Sequence, residues 1–203
     1  TDLVQAKNED ELPGPIKFDD LSSEALRGLE DFGYFQERYF GRIAFPWQVE
    51  AANKIARLLD TSYEEYAVIN APPGAGKTVC FAHDIPAWIT VRNRAIRGMI
   101  GSATMGMAKK STNRLRRTLE RVQPELAPQH LLRRGAALDA VSTLANDYGR
   151  FKPLNREIWT ADSFVVMQHE EFGSISEKEA TWSAYGRSEE RRVGKECRSR
   201  WSP

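Results

Sequence analysis

Residues 66–91 constrain the fold more than any other part of the chain. Tyr66, Ala67, Val68, Ile69 and Asn70 read as a short apolar strand, Ala71-Pro72-Pro73-Gly74-Ala75-Gly76-Lys77-Thr78 follows directly, and residues 79–91 read as a helix. Strand, glycine-rich loop and helix, with Gly-Lys-Thr at the junction, is the pattern of a phosphate-binding P-loop, except that Ala71 replaces its usual first glycine. Gly74 and Gly76 would let backbone N–H groups approach phosphate oxygens with no Cβ in the way, and the helix would add the positive end of its dipole. Lys77 would bring an ammonium to the β and γ phosphates, and the Thr78 hydroxyl would coordinate Mg²⁺. ATP and Mg²⁺ are the expected ligands, with Pro73, Gly74, Ala75, Gly76, Lys77, Thr78 and Val79 as the nucleotide-binding loop. The competing explanation is a turn that merely contains these residues.

Around this loop the chain alternates between strand and helix patterns, which predicts an α/β fold with a parallel sheet flanked by helices. Ser22 or Ser23 caps a short helix ending near Gly33. The aromatics between Tyr34 and Trp47 predict a packed local core rather than a platform for bases. Pro46 opens a helix that runs to Asp60 with Val49, Ala52, Ile55, Ala56 and Leu59 at helical spacing. A second buried strand is expected over residues 97–103, helices over 106–122 and about 138–147, and strands over 156–160 and 163–168. At the start of the helix opened by Pro46, Gln48 has an amide that can pair with adenine N6 and N7; a solvated helix glutamine is the equal alternative.

Residues 187–203, Arg-Ser-Glu-Glu-Arg-Arg-Val-Gly-Lys-Glu-Cys-Arg-Ser-Arg-Trp-Ser-Pro, lack apolar periodicity and match, codon for codon, the conceptual translation of a short-read sequencing adapter. They are therefore expected to be non-native, leaving an acidic flexible arm over residues 1–21 and a nucleotide-binding domain over 22–186. Leaving them out changes 29 basic and 28 acidic residues to 23 and 25, so the balance turns slightly negative. Cys80 then stands alone, which fits a reducing compartment. No run of apolar residues is long enough to predict a membrane span.

The near-neutral sum hides polarity. Residues 1–31 hold nine acids and three bases, whereas residues 92–134 hold eleven bases and only Glu120 and Glu125 as acids. On the helix expected over 106–122, Lys110, Arg114, Arg117 and Arg121 fall within an arc of about 60°, opposite Leu115, Leu119 and Val122. With Lys109 beside them, they form either a phosphate-facing stripe for DNA or a solvated face of an amphipathic helix. His83, His130 and His169 lack metal-ligand spacing and are expected to be surface or helix-packing residues, and Cys80 a small packed one.

Phe45-Pro46-Trp47-Gln48, the 68–78 segment, His83-Asp84-Ile85-Pro86-Ala87-Trp88 and Met99-Ile100-Gly101-Ser102-Ala103-Thr104 together resemble the ATPase domain of tailed-bacteriophage terminase large subunits. The later segments Trp159-Thr160-Ala161-Asp162-Ser163 and Glu179-Ala180-Thr181-Trp182-Ser183-Ala184-Tyr185-Gly186 add to the resemblance, which spans residues 22–186. It implies a P-loop NTPase fold of the RecA-like type and a motor that drives double-stranded DNA into a capsid. It further implies Gln48 as adenine reader, a homo-oligomeric ring, portal and small-subunit partners, and action in the host bacterial cytoplasm. Superfamily 2 helicases resemble the same Gln and P-loop pair, so a helicase-like translocase is the nearest alternative, and a nucleotide-binding switch without mechanical work is a third.

Two departures bear on chemistry. Some terminases place an arginine finger inside the P-loop, where this chain has Pro72, Pro73, Gly74 and Ala75. No apolar strand ends directly in the paired acids of a Walker B motif: after Phe164, Val165, Val166 and Met167 come Gln168 and His169 before Glu170 and Glu171. The family's Walker B acids are therefore expected beyond Gly186, with Glu170 or Glu171 as the lesser alternative, and the chain as it stands is expected to hydrolyse ATP poorly.

Overall fold

The computed structural model describes residues 12–59, 61, 66–133, 135, 137–154, 158–168 and 179–187. The expectations placed on residues 1–11, on Glu170 and Glu171, on His169 and on 188–203 lie outside them.

Side-chain caps set the first two helices. The Ser22 hydroxyl accepts the Ala25 N–H and starts α1 (Ser23–Glu30). Asp31 ends α1 and starts α2 (Phe32–Phe40), its carboxylate accepting from the N–H groups of Gly33 and Tyr34. Gly41, left-handed at φ +59°, closes α2 where a Cβ would meet the Leu138 carbonyl oxygen at 1.9 Å. The aromatic run packs as expected at Phe35, Tyr39 and Phe40, which are buried; Phe32, just before the run, is also buried, 5.2 Å from Trp88 between ring centroids. Phe45 departs from this, being 59% exposed.

Pro46 opens α3 (Pro46–Leu59). After the P-loop the helix is continuous but not uniform: α4 (Lys77–Val79) passes into a π-helical turn (Cys80–Asp84) and then α5 (Ile85–Arg92). Isolated π turns are frequent at functional sites. The whole of α5 except Arg92 is buried, and Trp88 donates its indole N–H to the Gly28 carbonyl at 3.0 Å. Burying each such large apolar side chain contributes about 1.5–3 kcal/mol.

The sheet is mixed and small. β1 (Gly98–Ser102) pairs in parallel with β3 (Trp182–Gly186), which pairs antiparallel with β2 (Ser163–Phe164), in the order β1-β3-β2. α6 (Met105–Glu120) packs on both β1 and β3, with Leu115 and Leu119 in the same core cluster as Ile100 and Trp182. α7 (Gln129–Leu132) and α8 (Leu144–Tyr148) complete the helices. Among the described residues no helix is long and apolar enough to cross a membrane.

Several expectations are corrected. Residues 66–70 form no strand, and Tyr66 and Val68 are 94% and 87% exposed. The run has strand composition, but a strand exists only where a neighbouring backbone completes its ladder, and none of the described strands pairs with it. The all-parallel sheet becomes mixed because β3, which was not anticipated, lies at its centre. The helix expected over 138–147 shrinks to α8, because Thr143 is its N-cap and accepts the Asn146 N–H. The strand expected over 163–168 stops at Phe164, and Trp159 makes only a single bridge to it. Part of the expected arm is docked: the Pro13 carbonyl accepts the Arg150 N–H at 2.9 Å and the Ile16 N–H reaches the Tyr148 carbonyl at 3.2 Å.

Candidate functional site

The loop over residues 71–76 takes the backbone path that its glycines allow. Gly74 and Gly76 are left-handed, at φ +81° and +77°, and a Cβ on Gly74 would meet nothing within 4 Å, so that side of the loop is open. Gly76 is the N-cap of α4, and its carbonyl accepts the Cys80 N–H at 2.9 Å. Lys77 folds its ammonium back over the loop and donates to the Ala71 carbonyl at 2.5 Å. An incoming anion would compete with this neutral acceptor for the ammonium, with no carboxylate among the described residues to displace.

The loop divides two cavities. One, of about 650 Å³, is lined by Lys77, Thr78, Gly101, Ser102, Ser111 and Met107 among others. It brings the P-loop side chains to the C-terminal end of β1, where open α/β sheets place their ligands. The other, of about 470 Å³, takes in Gly76, Val79, Gln48, Phe45, Arg42 and Gln36. Pro73, Gly74 and Ala75 line neither cavity. Of the expected set, Lys77 and Thr78 thus open onto the first cavity, and Gly76, Val79 and Gln48 onto the second.

Gln48 is buried against the loop. Its Oε1 accepts the Phe45 N–H at 3.1 Å, and its Nε2 lies 3.5 Å from the Ala75 carbonyl oxygen. The solvated alternative is therefore corrected: the amide ties the start of α3 to the P-loop. One N–H and one lone pair are left for a ligand.

Behind the loop lies a buried polar cluster that joins His83 and Asp84 to Gln36, Arg42 and Thr118, partners no local pattern had linked to them. Asp84, at the end of the π turn, accepts from Gln36 Nε2 at 2.7 Å, from His83 Nδ1 at 2.6 Å and from the Arg42 guanidinium. The His83 Nε2 faces the Thr118 hydroxyl of α6 at 2.8 Å. Burial pushes the Asp84 carboxyl up, but the His83 hydrogen bond and the Arg42 charge together hold it below the ordinary carboxylate range. Burial dominates at His83 and lowers its pKa, which favours the neutral ring, with Nδ1–H donated to the Asp84 carboxylate and Nε2 beside the Thr118 hydroxyl. Cys80 is packed, and burial pushes its thiol up to about 12, which keeps it protonated.

The basic stripe is less uniform than its spacing implies. α6 ends at Glu120, so Arg121 lies beyond the helix, where it pairs with Glu125 at 2.6 Å. Lys109 pairs with Asp162 at 2.5 Å. Lys110, Arg114 and Arg117 remain exposed on one face, with no ion pair to any of them among the described residues. Partial burial, with Arg42 nearby, lowers the pKa of Arg114.

Thr78, Ser102 and Ser111 bring hydroxyls to the larger cavity, and no carboxylate lines it among the described residues. Nor do the described residues include a group of three or more His, Cys, Asp or Glu placed to hold a metal. Lys77 and Thr78 could therefore meet phosphate oxygens in this cavity, whose described lining contains no acid that could orient a water. No family model, curated protein or solved structure matches the chain.

Proposed function

We propose that this chain is the ATP-binding motor domain of a terminase large subunit, with a P-loop NTPase fold that couples ATP hydrolysis to packaging of double-stranded DNA. The observation that carries the nucleotide part is the loop itself: two left-handed glycines open it, and Lys77 and Thr78 leave it into the cavity at the end of β1. The triphosphate would lie over Gly74, Ala75 and Gly76, with Lys77 on the terminal phosphates and Thr78 on Mg²⁺. ATP bound with Mg²⁺ supplies the phosphoanhydride whose cleavage drives such motors; the residues present bind and orient it. The DNA part rests on the exposed Lys110, Arg114 and Arg117.

The test is equilibrium binding of a fluorescent ATP analogue with Mg²⁺. Lys77→Ala removes the charge-assisted contacts and is expected to weaken binding at least tenfold, about 1.4 kcal/mol. Thr78→Val is expected to abolish the difference between Mg²⁺ and chelator. If Lys77→Ala binds as the parent does, the loop is an ordinary turn and the proposal fails.

A further inference from the structure

β1 lies at the edge of the sheet, and its ladder to β3 uses only part of its backbone. The Gly98 N–H donates to the Thr181 carbonyl at 2.8 Å and the Ser102 carbonyl accepts the Arg187 N–H at 3.2 Å. With the register between them, Gly98, Ile100 and Ser102 face β3. The N–H and C=O groups of Met99 and Gly101 therefore point to the other edge, where no described strand pairs with them. That edge opens on the larger cavity. Its lining takes in Met99, Ile100, Gly101 and Ser102 in succession, as an edge does, whereas a face would show every second residue. Across the cavity stand Ala67 and Ile69, from the exposed segment 66–70, whose backbone makes no hydrogen bond among the described residues. A strand residue fills about 4.8 by 3.3 by 10 Å, or roughly 160 Å³, so a cavity of about 650 Å³ has room for about four strand residues.

One contact ties down the end of this segment. The Lys77 ammonium donates to the carbonyl of Ala71, the residue directly after it. Resting on the nucleotide reading above, we propose that residues 66–70 are a latent strand: a polyphosphate on the loop draws Lys77 off Ala71, and the segment joins the free edge of β1 and closes the cavity. A ligand shifts an equilibrium only by contacts that differ between the two states. Here the ammonium faces the Ala71 carbonyl in the open state and phosphate in the closed one. The chain connection suits the closed state. The segment reaches β1 through α4, the π turn and α5, and a strand-helix-strand crossover of this kind brings its strands together in parallel. Parallel entry places Asn70 toward the Ser102 end of β1, where Lys77 and Thr78 line the cavity. The entering apolar side chains would meet Phe81, Ile85 and Ile89, which line the same cavity from the helix. Nucleotide binding is thereby linked to completion of the sheet.

Amide hydrogen exchange, read residue by residue on the full chain with and without saturating Mg²⁺ and ATP, tests the switch. Exchange at Met99 and Gly101 is expected to slow at least about tenfold with nucleotide, while Ile100, already bonded to β3, changes less than about threefold. Val68→Pro combined with Ile69→Pro removes the strand. Successive residues alternate sides, so one of the two prolines deletes a ladder N–H whatever the register. The double variant should bind ATP, at most about tenfold more weakly, and show no slowing at Met99 and Gly101. Met99→Pro gives an arm outside the segment: the N–H it deletes faces away from β3, and the slowing at Gly101 should fall to less than about threefold. Slowing at Gly101 that survives the prolines at both places would come from nucleotide covering the edge. Slowing that grows with protein concentration would come from a second copy. Either result overturns the switch. So does unchanged exchange at Met99 and Gly101 in a chain that a fluorescent ATP analogue shows to be loaded, and the nucleotide reading then stands. Nucleotide binding indifferent to Lys77→Ala would instead remove that reading, and the switch with it.

Discussion

Asp84 shows how much can depend on one residue. Its carboxylate is buried and accepts from three side chains drawn from α2, from the segment after it and from the π turn. Removing one partner of such a cluster strands the others, and truncations of this kind typically cost about 3–5 kcal/mol. His83 gives the cluster a pH dependence whose sign follows from its environment. Burial, with Arg42 and Arg114 adding repulsion, keeps the folded ring neutral below its ordinary value of 6.5, whereas the unfolded ring takes up a proton there. Stability is therefore complete above that value and is lost as pH falls through the range below it. Asp84, held low, retains its contribution until the pH is well into the acid range. Thermal unfolding should show Tm falling by about 2–4 °C for each kcal/mol lost between about pH 7.5 and about pH 5.5, and His83→Gln should flatten that slope. An equal slope in the variant would place the titration elsewhere. Of the residues at this candidate site, Lys77, Thr78 and the loop glycines could be singled out because their pattern is local in sequence. Asp84, Arg42 and Gln36 were not, because their role depends on contacts between segments up to 48 positions apart.

At the scale of elements, legibility follows the same division. Helix starts could be read from Ser22 and Pro46, since a cap satisfies N–H groups only three residues away and a proline fits the first turn. The sheet could not, because β1 finds its partner in β3, and the register Gly98 to Trp182 is enforced by packing rather than by any local pattern. At that pair the absence of a side chain is essential: a Cβ on Gly98 would lie 2.2 Å from the Trp182 ring. The ring cannot retreat, since its indole N–H donates to the Thr90 hydroxyl at 2.8 Å within the core. Gly98→Ala should therefore cost about 1–3 kcal/mol as an overpacked core does, read as a lower urea midpoint at unchanged m value. On the same strand a Cβ at Gly101 would meet nothing within 4 Å, and Gly101→Ala should stay within about 0.5 kcal/mol of the parent. Equal losses at the two positions would mean that strand propensity, not the Trp182 contact, decides the cost. The same lack of a partner explains residues 66–70, whose apolar side chains satisfy strand composition without a ladder to join.

Across the whole molecule, charge is segregated along the chain in a way that its near-zero sum conceals. The acids gather toward the start and the bases in residues 92–134, but the fold does not leave all of those bases available. Arg94 is spent inside, where its guanidinium donates to the carbonyls of Tyr148, Arg150 and Met167 and fastens the turn before β1 to the segments at 148–150 and 167. Burial draws its pKa down to about 9, which still leaves it charged at neutral pH. Lys109 and Arg121 are neutralised by Asp162 and Glu125, and Arg116 by Glu120. A polyanion approaching α6 therefore meets chiefly Lys110, Arg114 and Arg117, fewer cations than the sequence spacing promised. If these three each neutralise one phosphate of duplex DNA, counterion release sets the slope of log K against log salt at roughly −2.7. Lys110→Glu with Arg117→Glu should bring the slope to roughly −1 and weaken binding at low salt with no dependence on DNA sequence. Both residues are exposed, so the double variant should unfold as the parent does, which separates a lost contact from a lost fold. A slope that stays at the parent value would mean that DNA, if bound, is held by another surface, and α6 would then be a solvated amphipathic helix whose polar face has no ligand.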